Sequence, residues 1–184
     1  IVPIFAANAE LVAALGLVDR IVGVEAFTRF PPEIQGKPLI GGRLGFSVDA
    51  IVRQSPDLIV VTPARQAMHQ ILEPMSRLNI PVIVLQSRNV REVIENVRLL
   101  GRATRTEARA EALAQSFEAR LQRVQARHGV TARPRVVLIT GRLGNGMVLI
   151  ARSDTYTGDA LRLAGADHAL EQTVVPQVSP EAVI

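Results

Sequence analysis

The sequence predicts an α/β protein: two lobes with parallel sheets joined by one long helix, the C-terminal lobe incomplete in this chain. Three observations predict it. Short uninterrupted runs rich in Val and Ile, each bounded by turn residues, alternate with segments of helical periodicity. One amphipathic pattern extends from Thr104 to His128, longer than an ordinary crossover. Two short motifs occur once on either side of that pattern: Gly42-Arg43-Leu44-Gly45 returns as Gly141-Arg142-Leu143-Gly144, and Ser47-Val48-Asp49-Ala50-Ile51-Val52 is echoed by Ser179-Pro180-Glu181-Ala182-Val183-Ile184.

Taken in order, the chain is apolar from Ile1 to Phe5, then helical from Ala9 to Leu15 with Gly16 as its stop. Ile21 to Val24 reads as a strand. Ser47 caps a short helix, Val48 to Val52, and Asp49 complements the helix dipole in its first turn. Leu58 to Val61 is the next strand. Met68 to Leu78 carries apolar residues at 68, 71, 72, 75 and 78, with Pro74 expected to kink or restart the helix. Val82 to Leu85 is a strand, and Val90 to Leu100 a helix opened by Asn89 with Glu92 and closed by Gly101. Strands that are apolar throughout, with no alternation, belong to a parallel sheet covered on both faces.

Thr104 and Glu107 have the spacing of a capping box, and apolar residues at 110, 113, 114, 117, 121 and 124 trace one face of the long helix. Gly129 and Pro134 lead into a strand over Arg135 to Thr140. A glycine turn at 144–146, an apolar run from Met147 to Ile150 and a helix from Tyr156 to Ala164, closed by Gly165, follow. These boundaries divide the chain into an N-terminal lobe, 1–102, a linker helix, 103–129, and a partial C-terminal lobe, 130–184. In the first lobe the Ser-capped helix runs on into a strand, whereas the chain ends after its counterpart at Ile184. Further sequence is therefore expected in the natural protein.

Composition excludes several classes. With 48% apolar residues among 184, the chain can bury a substantial core. Its net charge of +4 comes from scattered arginines, and aromatics make up only 3%, so it lacks the basic, aromatic-interleaved stripe of a nucleic-acid binder. Cysteine is absent, which removes disulfides and thiolate metal sites. His69, His128 and His168 are too dispersed for a zinc constellation and read as surface or cap residues. No cofactor or bare metal site is expected. No run approaches a membrane span, and no signal peptide is visible in this chain. Gly41-Gly42-Arg43-Leu44-Gly45 does not give the dinucleotide fingerprint, no Walker lysine follows either glycine loop, and no Ser/His/Asp or Cys/His arrangement is apparent. The chain is therefore read as a non-enzyme, with a nucleotide-using α/β enzyme as the alternative.

The order of motifs resembles the helical-backbone (class III) substrate-binding proteins of bacterial ABC importers. The matching stretches are Asn8-Ala9-Glu10, Leu15-Gly16-Leu17, Asp19 to Val24, Phe30-Pro31-Pro32, Gly41-Gly42 with Val48 to Val52, Ser55 to Val60 and Leu78 to Val82. In the second half they are Thr157 to Leu161 with Ala164-Gly165-Ala166, and Val178 to Glu181. The resemblance implies Rossmann-like lobes, a shallow ligand cleft between them, delivery to a dimeric membrane permease without chemical change, a monomeric state, and a periplasmic or membrane-anchored extracytoplasmic location. It further implies a metal-chelate cargo. A ferric siderophore ranks first, because the N-terminal lobe lacks the tyrosine of haem binders (Tyr156 is the only one) and the chain lacks the tryptophans of cobalamin binders. Haem, cobalamin, an oxyanion and a sensor role on the same fold remain alternatives.

Candidate contact residues follow from the rule that ligands collect at the carboxyl ends of parallel strands. Five loops reach that edge, and each carries an arginine: Arg29, Arg43, Arg65, Arg88 and Arg142. The guanidinium fork suits carboxylate, catecholate or phosphate oxygens, hence an anionic cargo. Any one of them is as readily a solvated loop residue; the repeated glycine frame adds weight to Arg43 and Arg142. Phe27, Thr62 and Tyr156 complete the candidate set. Arg43 and Phe27 also match family ligand positions, and Asp49 and Glu181 match the acidic pair that docks on the permease.

Overall fold

The structure is a computed structural model describing residues 1–42, 45–63, 65–127, 132–170 and 177–183; the side chains of residues 42 and 65–67 also lie outside the description. The chain forms two compact units. The first comprises Ile1–Gln86 and Glu95–Ala114, the second Ser87–Ile94 and Gln115–Ile184.

In the first unit β1 (Val2–Pro3) leads into α1 (Ala6–Ala14), followed by β2 (Val24–Glu25), β3 (Leu39–Gly42), β4 (Gly45–Phe46), α2 (Val48–Arg53), β5 (Ile59–Val61), α3 (Arg65–Arg77) and β6 (Val82–Val84). Strands β1, β5 and β6 pair in parallel, in that order, and β2 pairs in parallel with β3. The expected strand Ile21–Val24 is displaced. Only Val24–Glu25 pairs as a strand, and the stretch before it runs beside Ile1, whose carbonyl accepts the Val22 N–H at 3.0 Å and whose amino group donates to the Arg20 carbonyl at 2.7 Å. Strands β3 and β4 form an antiparallel hairpin in which Gly42 faces Gly45.

The core shows why the apolar runs are continuous. Val2, Ile4, Ile59 and Val61 pack with Ile51, Ile71 and Met75, all fully buried. Val60, which points to the opposite side of the sheet by strand alternation, is fully buried too. Both faces of the sheet are thus covered. Burial of Ile71 and Met75 also carries α3 through Pro74 as one helix with no restart. Proline's lost bond is local, and hydrogen bonding resumes from the Leu78 N–H to the Pro74 carbonyl, 3.2 Å.

Helix α4 (Val90–Thr104) and helix α5 (Glu107–Ala126) correct two boundaries. Gly101 does not stop α4 but lies inside it. A Cβ there would sit 2.3 Å from the Cβ of Ala110, so the glycine lets α5 approach the α4 backbone. Arg98 Nε bridges the same two helices, 2.8 Å from Glu111 Oε2. Thr104 is the last residue of α4, donating its hydroxyl to the Leu100 carbonyl at 2.7 Å, and so does not cap the long helix. The turn between the helices passes through Arg105, a left-handed residue with φ 57°.

In the second unit β7 (Arg135–Val136), β8 (Ile139–Arg142), β9 (Val148–Ile150), α6 (Tyr156–Leu163), β10 (Asp167–His168) and β11 (Gln177–Val178) follow. The expected strand Arg135–Thr140 is split. Its first part, β7, pairs in parallel with β10, while β8 turns into an antiparallel hairpin with β9, which pairs on its other side with β11. Val148, Ile150 and Val178 form the small core of this sheet. Ser179 precedes a 3₁₀ turn, Pro180–Val183. His168 is neither a surface nor a cap residue: it is 9% exposed, and neither ring nitrogen has a hydrogen-bond partner among the described residues. His128 lies outside the described residues.

Candidate functional site

In the first unit the carboxyl ends of β1, β2 and β5 are fixed to one another by side chains. Asn8, in the first turn of α1 and almost wholly buried, donates its amide to the Ile4 carbonyl at 2.5 Å and to Thr62 Oγ1 at 3.1 Å. The Thr62 hydroxyl, just past β5, lies 3.3 Å from Asn8 Oδ1. Glu25, the last residue of β2, accepts the Phe5 N–H at 2.6 Å. Beyond it the loop 26–30 presents Phe27 and Phe30 about 60% exposed, with Arg29 exposed between them and Thr28 buried as the anchor, its N–H on the Glu25 carbonyl at 3.0 Å. Exposed aromatic rings of this size, on a loop so anchored, make a stacking and apolar contact surface.

The candidate arginines differ in what they already hold. Among the described residues the Arg29 and Arg142 guanidiniums have no hydrogen bond or ion pair. Arg88 is engaged: it lies 2.5 Å from Glu92 Oε1, and Glu92 in turn accepts the Arg88 N–H at 2.7 Å. That bond raises the Arg88 pKa and holds the Glu92 carboxyl below its ordinary value. Arg88 is thus a capping partner at the start of α4, where Asn89 Oδ1 also accepts the Glu92 N–H at 2.8 Å. Arg43 lies outside the described residues, as does the side chain of Arg65, whose backbone opens α3.

The repeated glycine–arginine motif does not build the same frame twice. In the first copy Gly42 and Gly45 pair across the β3–β4 hairpin; in the second Gly141 and Arg142 are themselves strand residues, facing Leu149 and Val148, and only Leu143 and Gly144 enter the turn. Arg142 borders a hollow of about 540 Å³ with Ile139, Leu143, Pro180 and Val183. Tyr156, 45% exposed, lines a separate apolar hollow of about 420 Å³ with Val90, Phe117, Leu121 and Val124. In the second unit, therefore, Arg142 and Tyr156 belong to different depressions.

Asp49 is exposed in the first turn of α2, whose N-cap Ser47 accepts the Ala50 N–H at 3.3 Å. Glu181 is exposed in the final 3₁₀ turn, its carboxyl held below the usual range by its own backbone N–H and then by the Ser179 hydroxyl. Sequence reasoning assigned no role to Asp159, which is 9% exposed, accepts the Val90 N–H at 2.9 Å and pairs with Arg162. Its partner lies 69 residues away, beyond any local signal. Among the described residues no cluster of His, Asp and Glu is arranged to hold a metal ion, and no helix is long and apolar enough to cross a membrane.

Comparison with known proteins finds chains of similar sequence and fold. A vitamin B12-binding protein of Pectobacterium atrosepticum is 25% identical over 182 residues, covering 95% of this chain and 64% of that protein. An uncharacterized ABC transporter substrate-binding lipoprotein of Bacillus subtilis is 22% identical over the full chain and 60% of its own length. Across the curated relatives cited, the chain spans less than two thirds of their length. Among solved structures, a periplasmic vitamin B12 binding protein of Vibrio cholerae superposes with a TM-score of 0.82 at 18% identity, over 98% of this chain and 70% of that one. A periplasmic heme binding protein of Pseudomonas aeruginosa gives 0.76 at 25% identity, over 95% and 64%. The family profile of the periplasmic binding proteins matches residues 1–184, and the chain belongs to that family.

Proposed function

We propose that this chain is the cargo-capturing part of a bacterial ABC importer, working outside the cytoplasm and handing an intact metal chelate to a permease dimer. The observation that carries the reading is the loop after β2, which holds Phe27, Phe30 and Arg29, unpaired among the described residues, at the carboxyl end of a strand paired in parallel with β3. Exposed unpaired arginines occur elsewhere in the chain; it is the combination with two uncovered rings at a sheet edge that favours a large, partly apolar anion. Thr62 adds a hydroxyl whose position Asn8 fixes. Arg142, and Arg43 and Arg65 by sequence, supply further positive charge, and Tyr156 an aromatic wall in the second unit.

The relatives named for vitamin B12 and heme favour a macrocyclic chelate over the ferric siderophore that the sequence ranked first. Thermal unfolding in the presence of haemin, cyanocobalamin, a ferric siderophore and simple oxyanions tests the reading. A midpoint raised by one chelate and not by oxyanions is expected, and no shift with any chelate refutes it. Asp49 and Glu181 are proposed as the permease contacts, two exposed carboxylates that steer the encounter. Charge reversal at either is expected to leave chelate binding intact while abolishing stimulation of the transporter's ATPase.

A further inference from the structure

Helix α1 begins without an acidic residue in its first turn and without a side-chain cap of its own. Its N-cap, Phe5, has a left-handed φ of 73°, uncommon for a bulky residue, and its N–H would be an orphan donor at the positive end of a nine-residue helix. The missing acid comes from another strand. Glu25 at the end of β2 places Oε2 2.6 Å from that N–H, a charge-assisted bond that does for α1 what a capping-box glutamate does from within a helix. No cation among the described residues pairs with this carboxylate, so its negative charge is not cancelled by a neighbouring side chain. It sits two residues before Phe27 and four before Arg29, in the midst of the surface assigned to cargo.

We propose that Glu25 is a specificity-determining residue of this surface: a resident carboxylate that fills the positive end of α1, keeps the anionic groups of the cargo away from β1, and so directs them to the arginine side of the loop. The inference rests on the loop being the cargo surface. A cargo that fits places neutral or hydrogen-bond-donating groups toward Glu25 and its acidic groups toward Arg29.

The test uses E25Q, which retains an oxygen for the Phe5 N–H and removes the charge, alongside E25A. Haemin, which carries two propionates, and cyanocobalamin, which carries no carboxylate, are titrated into wild type and E25Q. For whichever binds, E25Q is expected to tighten haemin by roughly five- to tenfold and to leave cyanocobalamin within about twofold. Equal changes for both cargoes, or none, overturn the proposal. Inorganic sulfate, followed through the Phe5 amide resonance, decides the matter if neither chelate binds, in which case the function proposed above fails on its own. E25A is expected to show a saturable shift that wild type lacks, and identical titrations of the two overturn the role of Glu25.

Discussion

Replacing Gly101 with alanine isolates the contact that joins α4 to α5. Helix propensity alone favours alanine over glycine in a helix interior by about 1 kcal/mol. The structure reverses the sign, because the new Cβ would lie 2.3 Å from the Ala110 Cβ, where two carbons in contact need about 3.5–4.0 Å. Both helices must move apart by more than an ångström, or the backbone must bend, and overpacking of this kind costs about 1–3 kcal/mol. With the propensity gain of about 1 kcal/mol set against it, a net destabilisation of up to about 2 kcal/mol is expected, read as a lower urea midpoint at unchanged slope. The double variant G101A/A110G returns the space, so the two substitutions should couple by about 1–2 kcal/mol in a double-mutant cycle. A G101A protein more stable than wild type by the propensity gain of about 1 kcal/mol, or an additive cycle, would refute the packing argument.

Three other expectations concern groups with unusual surroundings. Asp159→Ala leaves the Val90 N–H and Arg162 without their carboxylate and should lower stability by about 1–3 kcal/mol, whereas Asp159→Asn, which keeps an acceptor, should lose less; urea melts of both check this. His168→Leu removes two buried nitrogens unpartnered among the described residues, at similar volume, and should raise the urea midpoint by the equivalent of about 1–2 kcal/mol; a fall would mean that the ring has a bonding partner in solution. Because Arg88 lowers the Glu92 pKa, their bond contributes at neutral pH and is lost as pH falls through that lowered value; in Arg88→Gln the Glu92 carboxyl, followed by NMR, should titrate at higher pH than in wild type, while the N–H of residue 88 still holds it below the ordinary glutamate value.

What was legible in the sequence is what local forces decide. Ile59–Val61 and Val82–Val84 announce themselves because a doubly covered strand has no polar face to show, and Ser47 and Asn89 do so because a cap acts within three residues. Gly101 and Pro74 mislead for the opposite reason. Their usual meaning as punctuation is overruled by a neighbouring helix in one case and by buried Ile71 and Met75 in the other. The break in Arg135–Thr140 depends on which partner each half finds, β10 or β9, and periodicity carries no such information. At the candidate site, Phe27 and Arg29 are readable as a loop after a strand, and the engagement of Arg88 is readable from Glu92 four residues on. The roles of Glu25 and Asp159 come from contacts 20 and 69 residues apart, which only the fold creates.

The central claim is that the loop after β2 holds cargo. Isothermal titration of a metal chelate that shifts the unfolding midpoint, into wild type, Phe27→Ala and Arg29→Ala, tests it most directly. One-to-one binding to wild type is expected, with each substitution weakening it by about ten- to a hundredfold, the range for losing a ring contact or a charge-assisted bond of about 1.5–3 kcal/mol. Chelate binding that neither substitution changes would contradict the account.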